Sequence, residues 1–475
     1  MASAAPLPFD AAALSAARRD ALRYHHGAGG PSYHLYPEVE AFHDAFGGDD
    51  LCQALERSNA GGRGLSLYVH VPFCRQSCGY RPCPHIITRD TSRAEPYLSR
   101  LDREMVLTAR HLDRTRPVEQ LYWGGGTPTF LTLGQMSDLF DRLDARFGLS
   151  SSPARDYAID IDPREADVFT LRHLQVLGFN RLILEVLDFN PEVQQALGRE
   201  QPRIMTETLM EEAHRLGFRS LTLAIGYGLP RQTPESFADT LADVIELNPA
   251  RISLQDHAQN HAQNPAQDHA QSYGYRLRRG PLQQRRENDR LPAAADRLAM
   301  LQLAADRLCQ AGYVHIGMDH FARPDDSLAV AARQERLGRG LQGYTTHGHC
   351  DLLGLGVSAV SRIDDVYAQN AARLSDYADA LDSGRLATAR GLHLGRDARI
   401  RRAAIERLMC DARLDLAALG RHFNIDAPRY FAAALARLGD GRHAGLIERR
   451  GDMLSATADG RLVLHRLARA FDAPR

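Results

Sequence analysis

The stretch that decides the fold runs Tyr68-Val-His-Val-Pro-Phe-Cys74-Arg-Gln-Ser-Cys78-Gly-Tyr80-Arg81-Pro82-Cys83. Its apolar, β-branched beginning predicts a strand that ends near Pro72 and leads into a loop. Three cysteines then occur within ten residues, a density that favours ligation of a metal or cluster over disulfide bonding. The loop is therefore a metal or cluster site, or the remnant of one.

The composition is that of an ordinary globular protein. The chain has 475 residues, 44% hydrophobic and 25% charged, enough for a large core and one smaller unit. Its net charge of -1 gives no overall attraction to nucleic acid or to an anionic membrane. Because no apolar run approaches the ~20 residues that span a bilayer and the first residues lack a signal-peptide pattern, we expect a cytoplasmic protein without membrane insertion.

A repeating pattern of short strands and longer helices begins at Leu65. The predicted strands are 65–71, 120–123, 157–161, 181–186, 220–225 and 251–254. A helix over 133–147 follows the second strand, and the helix after the fifth is marked by Thr233 as N-cap and ends at Asn248. Successive β-then-α units predict a parallel sheet whose right-handed crossovers curl it into a full or partial barrel. Each motif then lies at the carboxyl end of a strand, where such folds place their sites.

We predict three parts along the chain. Residues 1–63 form an N-terminal arm laid over the main domain, 64–390 form the barrel with segments that cover the substrate, and 391–475 form a small C-terminal helical domain. In that last part, helices followed by a hairpin turning at Gly451 favour a winged-helix-like module, and its modest basicity favours a structural role over DNA binding. The Gly-punctuated segments between 312 and 361 are too rich in His, Asp and Arg to be plain core.

A polar repeat interrupts the sixth unit. Over 256–271 a tetrapeptide ending in Ala-Gln occurs four times, and so polar a segment is typical of a solvated low-complexity expansion. Metal binding by His257 and His261 is the alternative, although Pro265 interrupts the helical spacing that it needs. The arginines of 276–290 form either a solvated face or, at the mouth of a barrel, a site for the carboxylates of an anionic substrate.

The motifs taken together resemble one family. They are Tyr68-Val-His-Val-Pro-Phe-Cys74, Trp123-Gly-Gly-Gly-Thr-Pro-Thr129, Asp162-Pro-Arg-Glu165, Gly178-Phe-Asn-Arg181, Tyr227-Gly-Leu-Pro230, Met318-Asp-His-Phe-Ala-Arg-Pro-Asp-Asp326 and Gly343-Tyr-Thr-Thr346. This set looks like the bacterial oxygen-independent coproporphyrinogen III oxidases, which are radical S-adenosylmethionine enzymes. The resemblance extends from about Gly30 to Phe471, and it implies an α/β fold with a partial (β/α)6 radical S-adenosylmethionine barrel.

The resemblance also implies a reaction of haem biosynthesis. A 4Fe-4S cluster reduces S-adenosylmethionine, and the resulting 5'-deoxyadenosyl radical takes a β-hydrogen from a propionate of coproporphyrinogen III. Loss of carbon dioxide and one electron leaves a vinyl group, and two such steps give protoporphyrinogen IX. The implied partners are this tetrapyrrole and a small electron-donor protein, and the implied state is a monomer.

Residue by residue, the resemblance assigns the site. Cys74 and Cys78 match the first two cluster ligands, and Cys83 matches an additional cysteine that follows the cluster motif. Tyr68 and Cys83 are the implied catalytic residues. The positions that match those binding two S-adenosylmethionine molecules are Tyr68, Tyr80, Gly125, Gly126, Thr127, Asp160, Arg199 and Ala258, with Ala270 as the alternative to Ala258. For the glycine turn, a tight connection between strand and helix remains the alternative.

Several positions depart from the family pattern. Arg81 stands where the family has its third cluster cysteine, and its permanent cation has no lone pair to offer iron. Asp160 stands for a glutamate, Leu187 for a glutamine and Ala224 for an aspartate. These losses fall on the cofactor site, whereas the scaffold motifs survive.

Three hypotheses follow from these departures. In the first, the enzyme works because Cys83 replaces the missing third ligand and completes a set with Cys74 and Cys78. In the second, the chain is a catalytically silent paralogue that binds haem or a tetrapyrrole through residues such as His320 and Arg323. In the third, the chain folds but has lost both roles.

Overall fold

The structure is a computed structural model that describes residues 20–22, 24, 33–76, 86–257, 291–340 and 343–473, together with the backbone of strands 269–270 and 275–276. Some of the sequence predictions concern residues outside these ranges. The loop 77–85, most of the repeat and the basic segment 277–290 lie outside the described residues.

The strands of the described residues are, in chain order, β1 (Leu65–Val71), β2 (Phe73–Cys74), β3 (Ile86–Ile87), β4 (Val118–Gly125), β5 (Asp156–Ile161), β6 (Arg181–Leu187), β7 (Ser220–Tyr227), β8 (Arg251–Asp256), β9 (His269–Ala270), β10 (Tyr275–Arg276), β11 (Val314–Gly317), β12 (His320–Ala322), β13 (Gly338–Gly340), β14 (Gly343–Thr345), β15 (Asp351–Leu355), β16 (Val360–Ile363), β17 (Val366–Asn370), β18 (Thr388–His393), β19 (Arg413–Asp415), β20 (Ile447–Arg450) and β21 (Met453–Ala456).

The α-helices of the same residues are α1 (Gly48–Asn59), α2 (Glu95–Ala109), α3 (Leu133–Phe147), α4 (Val168–Val176), α5 (Pro191–Leu197), α6 (Arg203–Arg215), α7 (Pro234–Leu247), α8 (Ala294–Gln310), α9 (Ser327–Arg333), α10 (Leu374–Asp382), α11 (Arg396–Asp411), α12 (Leu416–Phe423), α13 (Ala427–Tyr430), α14 (Ala432–Leu438), α15 (Ala458–Leu462) and α16 (Leu464–Ala468). Among the described residues, no helix is both long and apolar enough to cross a bilayer.

The main sheet confirms the predicted α/β fold with a partial parallel barrel. Within the described residues its order is β11-β12-β8-β7-β6-β5-β4-β1-β15-β16-β17-β18, and the strands from β8 to β15 in that order are parallel. The six strands predicted from sequence are β1 and β4 to β8, each extended by at most two residues at either end. Helix α3 has the predicted bounds, and Thr233 caps α7 by accepting a hydrogen bond from the backbone nitrogen of Ser236.

One strand of the parallel sheet was missed. The Gly-punctuated stretch around 354–361 was predicted to lie outside the plain core, but β15 is buried along its whole length and pairs in parallel with β1. Glycines at 354 and 356 weakened the strand pattern in the sequence, and a parallel partner so distant along the chain leaves no local signal. This prediction was wrong, and the parallel sheet is one strand wider than expected.

Alternation along the strands separates a helix-facing side from an interior side. On β1, Leu67 and Val69 belong to the large core between sheet and helices, whereas Tyr68 packs with Tyr122 and Ala158 in a second cluster. A strand repeats every two residues, so residues two apart share a face. Tyr68, Tyr122 and Ala158 therefore lie on the interior face of the barrel.

The described part of the arm lies against the barrel interior. Leu35, Val39 and Phe42 pack into the same cluster as Tyr68 and Tyr122. The ring of Phe42 stacks on Tyr367 with centroids 5.7 Å apart. Apolar contacts therefore hold this segment against the interior face of the barrel.

The C-terminal part has the predicted order of helices and hairpin. Helices α11 to α14 precede the antiparallel pair β20 and β21, and β21 also pairs with β19. The hairpin turns at Gly451 as expected. The Tyr344 hydroxyl donates a hydrogen bond to the carbonyl oxygen of Met409 across 2.9 Å, which attaches α11 to the β14 segment.

Candidate cofactor site at the carboxyl end of the barrel

The glycine turn after β4 is held against the start of the cysteine loop. The Gly126 nitrogen donates to the Val71 oxygen across 2.8 Å, and the Thr127 nitrogen donates to the Phe73 oxygen across 2.7 Å. A Cβ atom at Gly126 would lie 2.4 Å from the Phe73 oxygen, so only glycine permits this approach. The predicted turn and the predicted cluster loop therefore adjoin.

Cys74 is the described member of the predicted cluster ligands. Its side chain is buried, and the Thr127 hydroxyl donates to its sulfur across 3.6 Å. The other predicted ligands, Cys78 and Cys83, lie outside the described residues, as do Tyr80 and Ala258.

Two predicted residues meet beside this turn. The Tyr122 hydroxyl donates to Asp160 Oδ1 across 2.5 Å, and a Cβ at Gly124 would lie 2.9 Å from Asp160 Oδ2. The Tyr68 ring stacks on Tyr122 with centroids 5.9 Å apart. The structure thus brings Tyr68 and Asp160 to the glycine turn.

Sequence reasoning missed two residues of this site. The Tyr68 hydroxyl lies 2.9 Å from His70 Nδ1, and Tyr122 holds the Asp160 carboxylate. His70 follows Tyr68 by two positions and Tyr122 precedes Gly124 by two. The two-residue period of a strand places both on the interior face, so the alternation of β1 and β4 was the available signal.

Arg199 lies in a buried ion network. Its Nη1 is 2.8 Å from Asp162 Oδ2, and its Nη2 donates to the Glu185 backbone oxygen across 2.6 Å. Arg164 Nη2 also lies 2.7 Å from Asp162 Oδ2. Burial by itself would raise the pKa of Asp162, but the two guanidinium groups lower it to about 2. Arg199 therefore remains paired with an ionised carboxylate at neutral pH, and a ligand carboxylate would share it.

The Asp162-Pro-Arg-Glu165 motif also supports the start of the loop. Glu165 Oε1 accepts a hydrogen bond from the Arg75 nitrogen across 3.0 Å, and Arg164 Nη1 donates to Gln76 Oε1 across 3.1 Å. Among the described residues Glu165 Oε2 is buried without a hydrogen-bond partner. Burial, together with Asp162, raises the pKa of Glu165.

The apolar departures lie at the same end of the barrel. Leu187 is buried with Val193, Leu197 and Leu229, and its φ is 66°, in the left-handed region. Ala224 is buried on β7. Neither side chain offers a polar contact, which agrees with the losses read from the sequence.

His320 and Arg323, the residues suggested for tetrapyrrole binding, have different surroundings. His320 Nδ1 lies 2.6 Å from Asp319 Oδ1, near the ring of Tyr344. Arg323 instead lines a cavity of about 1000 Å³ that also contains Asp156 and Arg181, the first residues of β5 and β6. We call this space the amino-end cavity, because it lies at the strand ends opposite to the glycine turn.

The described residues fit the cofactors that the resemblance implies. A buried cysteine, a turn with no room for side chains, a buried carboxylate oxygen without a donor and an arginine–carboxylate network converge at one end of the barrel. Thiolates bind iron, and backbone groups with carboxylates bind an ammonium group.

Comparison with known families supports this assignment. Residues 68–244 match the model described as "Radical SAM superfamily", and residues 394–463 match the "HemN C-terminal domain". Radical S-adenosylmethionine proteins bind a 4Fe-4S cluster and S-adenosylmethionine, and this membership implies both cofactors here.

Individual relatives are similar over nearly the whole chain. The chain is 45% identical over 444 residues to the oxygen-independent coproporphyrinogen III oxidase of Pseudomonas aeruginosa. The matched residues cover 93% of this chain and 93% of the relative. It is 41% identical over 443 residues to the enzyme of that name from Escherichia coli, covering 93% of this chain and 92% of the relative. The solved structure of coproporphyrinogen III oxidase (HemN) from Escherichia coli superimposes with a TM-score of 0.85 over 93% of this chain and 97% of that one. The chain therefore belongs to the oxygen-independent coproporphyrinogen III oxidase family of the radical S-adenosylmethionine superfamily.

Proposed function

We propose that this chain oxidatively decarboxylates two propionates of coproporphyrinogen III and so forms the vinyl groups of protoporphyrinogen IX. The observation that carries the proposal is the convergence of Cys74, the glycine turn, Asp160 and Arg199 at the carboxyl ends of the strands. When bound, the cluster and S-adenosylmethionine supply the one-electron chemistry that removes a hydrogen atom from each propionate.

The residues of the chain would bind and orient these groups. Thr127 fixes the sulfur of Cys74 by a hydrogen bond, and the glycine turn at Gly125 and Gly126 would lie against the methionine part of the cofactor. Tyr122 holds the Asp160 carboxylate at this turn, where it would accept a hydrogen bond from an ammonium group. Arg199 would share its positive charge between Asp162 and a ligand carboxylate.

We propose that Cys83 completes the cluster ligands with Cys74 and Cys78. Arg81 cannot serve, because a guanidinium offers no lone pair to iron. Cys83 is the nearest remaining thiol in the loop, and the resulting spacing is Cys-x3-Cys-x4-Cys.

The proposal extends to partners and cellular setting. The substrate is coproporphyrinogen III or a related tetrapyrrole, and the electrons come from a small electron-donor protein. We propose that the barrel of residues 64–390 and the C-terminal domain of residues 391–475 work as one cytoplasmic monomer.

Anaerobic reconstitution tests the ligand set. The full chain is treated with iron and sulfide, and bound iron, cluster absorbance and 5'-deoxyadenosine formation are measured after addition of S-adenosylmethionine and a reductant. We expect one cluster, lost in Cys83→Ser and retained in Cys309→Ser, which removes a half-buried thiol on α8. Failure of the chain to form any cluster would overturn the proposal.

The reverse substitution separates the ligand from the rest of the site. Arg81→Cys supplies the third cysteine at the family position, so this variant is expected to hold the cluster even in the Cys83→Ser background. Conversion of coproporphyrinogen III, followed as vinyl porphyrin after oxidation of the product, then reports whether Leu187 and Ala224 limit turnover. No product from either chain with a loaded cluster would contradict the proposed activity.

A second candidate is binding of haem or a tetrapyrrole without turnover. Arg81 in the cluster loop and the apolar Leu187 and Ala224 favour it, because all three weaken the cofactor site. Haem titration of the full chain and of His320→Ala tests it, since an axial histidine changes the haem spectrum. A chain that causes no spectral shift would exclude this candidate.

A further inference from the structure

Two strands that flank β1 bring three potential metal ligands together at its amino end. Leu65 on β1 pairs with Val118 on β4 and with Asp351 on β15. Glu119 follows the first partner, and Cys350 precedes the second, so both lie beside the start of β1. The turn that leads into β15 contributes the neighbouring His349.

The ligand atoms of this group are close enough to share one ion. One carboxylate oxygen of Glu119, one ring nitrogen of His349 and the sulfur of Cys350 all lie within 4.8 Å of one another. The distance between His349 Nε2 and Glu119 Oε2 is 3.1 Å. Tetrahedral zinc with its ligands at about 2.0–2.1 Å separates a nitrogen and an oxygen ligand by about 3.3 Å. The spacing of this nitrogen–oxygen pair is therefore near the one that zinc requires, and the Cys350 sulfur lies within 4.8 Å of both ligands.

We propose that Glu119, His349 and Cys350 form a zinc site at the amino end of the barrel. Thiolate, imidazole and carboxylate are the ligands that zinc takes in proteins, and a site with three protein ligands keeps its fourth position for water or an anion. The site lies at the end of β1 opposite to the glycine turn and does not depend on the proposed function.

The backbone around Gly64 is built around the Glu119 carboxylate. A Cβ at Gly64 would lie 2.3 Å from Glu119 Oε1, a distance at which the carboxylate would have to move. The position of Gly64 is fixed, because its oxygen accepts a hydrogen bond from the Asp351 nitrogen across 3.1 Å and the next residue, Leu65, donates to the Pro117 oxygen across 2.8 Å. Absence of a side chain at Gly64 thus leaves room for the Glu119 carboxylate next to His349 and Cys350.

The site is accessible from solvent and borders cationic groups. The side chain of His349 is 59% exposed, whereas Cys350 is buried. His349 also lines the amino-end cavity, whose wall carries Arg336, Arg339 and Arg362. Zinc can enter from the exposed side, and an anion in the fourth position would be favoured by these arginines.

Cobalt and zinc titrations test the proposal on the full chain. Cys74, Cys78 and Cys83 are replaced by serine, because the loop thiols would bind zinc themselves. We expect one equivalent of zinc, and cobalt in its place should give tetrahedral absorption with a sulfur-to-cobalt charge-transfer band. Cys350→Ser should abolish that band, and His349→Gln should weaken zinc binding at least about tenfold, since even groups that only support ligands contribute that much.

Two further variants distinguish a built site from incidental binding. Gly64→Ala keeps all three ligands but displaces the Glu119 carboxylate, so we expect it to weaken zinc binding as Glu119→Gln does. Cys309→Ser is the matched control and should leave binding unchanged. His349→Gln keeps the test informative if Cys350→Ser does not fold, because this side chain is mostly exposed. Absence of a bound equivalent, or an equivalent that survives both Cys350→Ser and His349→Gln, would show a hydrogen-bonded cluster without metal and overturn the proposal.

Discussion

Thr127 Oγ1 donates a hydrogen bond to Cys74 Sγ across 3.6 Å. This contact joins the glycine turn after β4 to the first cysteine of the loop, so the predicted site for S-adenosylmethionine and the predicted cluster site share a boundary. The reduction potential of an iron–sulfur cluster depends on hydrogen bonds to its sulfur ligands.

Thr127→Val should therefore lower the reduction potential of the reconstituted cluster. Valine has the shape of threonine but cannot donate a hydrogen bond to the thiolate. Loss of this hydrogen bond destabilises the reduced cluster more than the oxidised one, because the reduced cluster is more electron-rich. Potentiometric titration followed by electron paramagnetic resonance measures the change. Thr127→Ser retains the hydroxyl and is the control; equal potentials in the valine and serine variants would contradict the prediction.

Tyr122→Phe should weaken binding of S-adenosylmethionine about tenfold or more. The Tyr122 hydroxyl orients the Asp160 carboxylate across 2.5 Å, and a hydrogen bond to a charged group contributes about 1.5–3 kcal/mol. Calorimetric titration with S-adenosylmethionine measures the dissociation constant. The matched control is Tyr157→Phe on β5, where the hydroxyl donates to the Ser150 oxygen on the helix-facing side, and an equal loss in both variants would show that the effect is general.

Arg199→Met should destabilise the fold by about 3–5 kcal/mol, the usual cost of removing one partner of a buried ion pair. Arg199 and Asp162 are both almost fully buried, with Nη1 and Oδ2 2.8 Å apart. The pKa of Asp162 is about 2 in the folded chain, and its ordinary value is 3.8. The ionised carboxylate therefore stabilises the fold above pH 3.8, and this stabilisation is lost as the pH falls towards 2. In the variant this loss should begin at higher pH.

Urea unfolding at neutral pH and at acid pH measures both effects. Arg203→Met is the comparison, because Arg203 pairs with Asp243 at a partly exposed site where ion pairs contribute little. A variant at Arg199 that unfolds like the one at Arg203 would exclude a stabilising role for the buried pair.

Glu104 should make stability fall as the pH rises through neutrality. Its carboxylate accepts hydrogen bonds from the Gly356 nitrogen, the Tyr377 hydroxyl and the Asn370 amide at 2.7, 2.6 and 2.5 Å. Burial raises its pKa from 4.5 to about 7, with these donors opposing the rise. A carboxyl group whose pKa is raised by folding contributes most to the free energy of unfolding below pH 4.5. This contribution, roughly 3 kcal/mol in total, is lost as the pH rises through 7.

The difference in unfolding free energy between the unmodified chain and Glu104→Gln isolates the contribution of the Glu104 carboxyl group, because glutamine does not ionise. Urea unfolding at pH 5 and pH 8 gives the unfolding free energy of each chain, and the two values should converge as the pH rises. The contributions of titrating groups that both chains share cancel in the difference. A constant difference between the two chains across this range would contradict the assignment of the titration to Glu104.

Much of the barrel could be predicted because its signals are local. Apolar alternation marked β1 and β4 to β8, and Thr233 with Asn248 marked the ends of α7. The strand β15 escaped prediction, since its partner β1 lies far away in the chain and the glycines of its segment disguised the pattern. Pairing between distant strands is decided by the packing of the whole sheet, which no window of sequence contains.

The candidate site divides in the same way. Tyr68, Gly125, Gly126, Thr127 and Asp160 were predicted from the family resemblance, and the structure brings them together. The partners that hold them, His70 and Tyr122, were missed although the alternation of their strands pointed to the interior. Cys78, Tyr80, Cys83 and Ala258 remain predictions, because they lie outside the described residues.

The sequence by itself determined the family, the strand-and-helix order and the substitution of Arg81 for a cluster cysteine. Each of these is a property of residues close together in the chain. Only the tertiary structure decided that Arg199 is paired with Asp162 and that Glu119 meets His349 and Cys350 across the amino end of β1. Such contacts join segments whose separation along the chain is unrelated to their distance in space, so they exist only once the sheet has closed around β1.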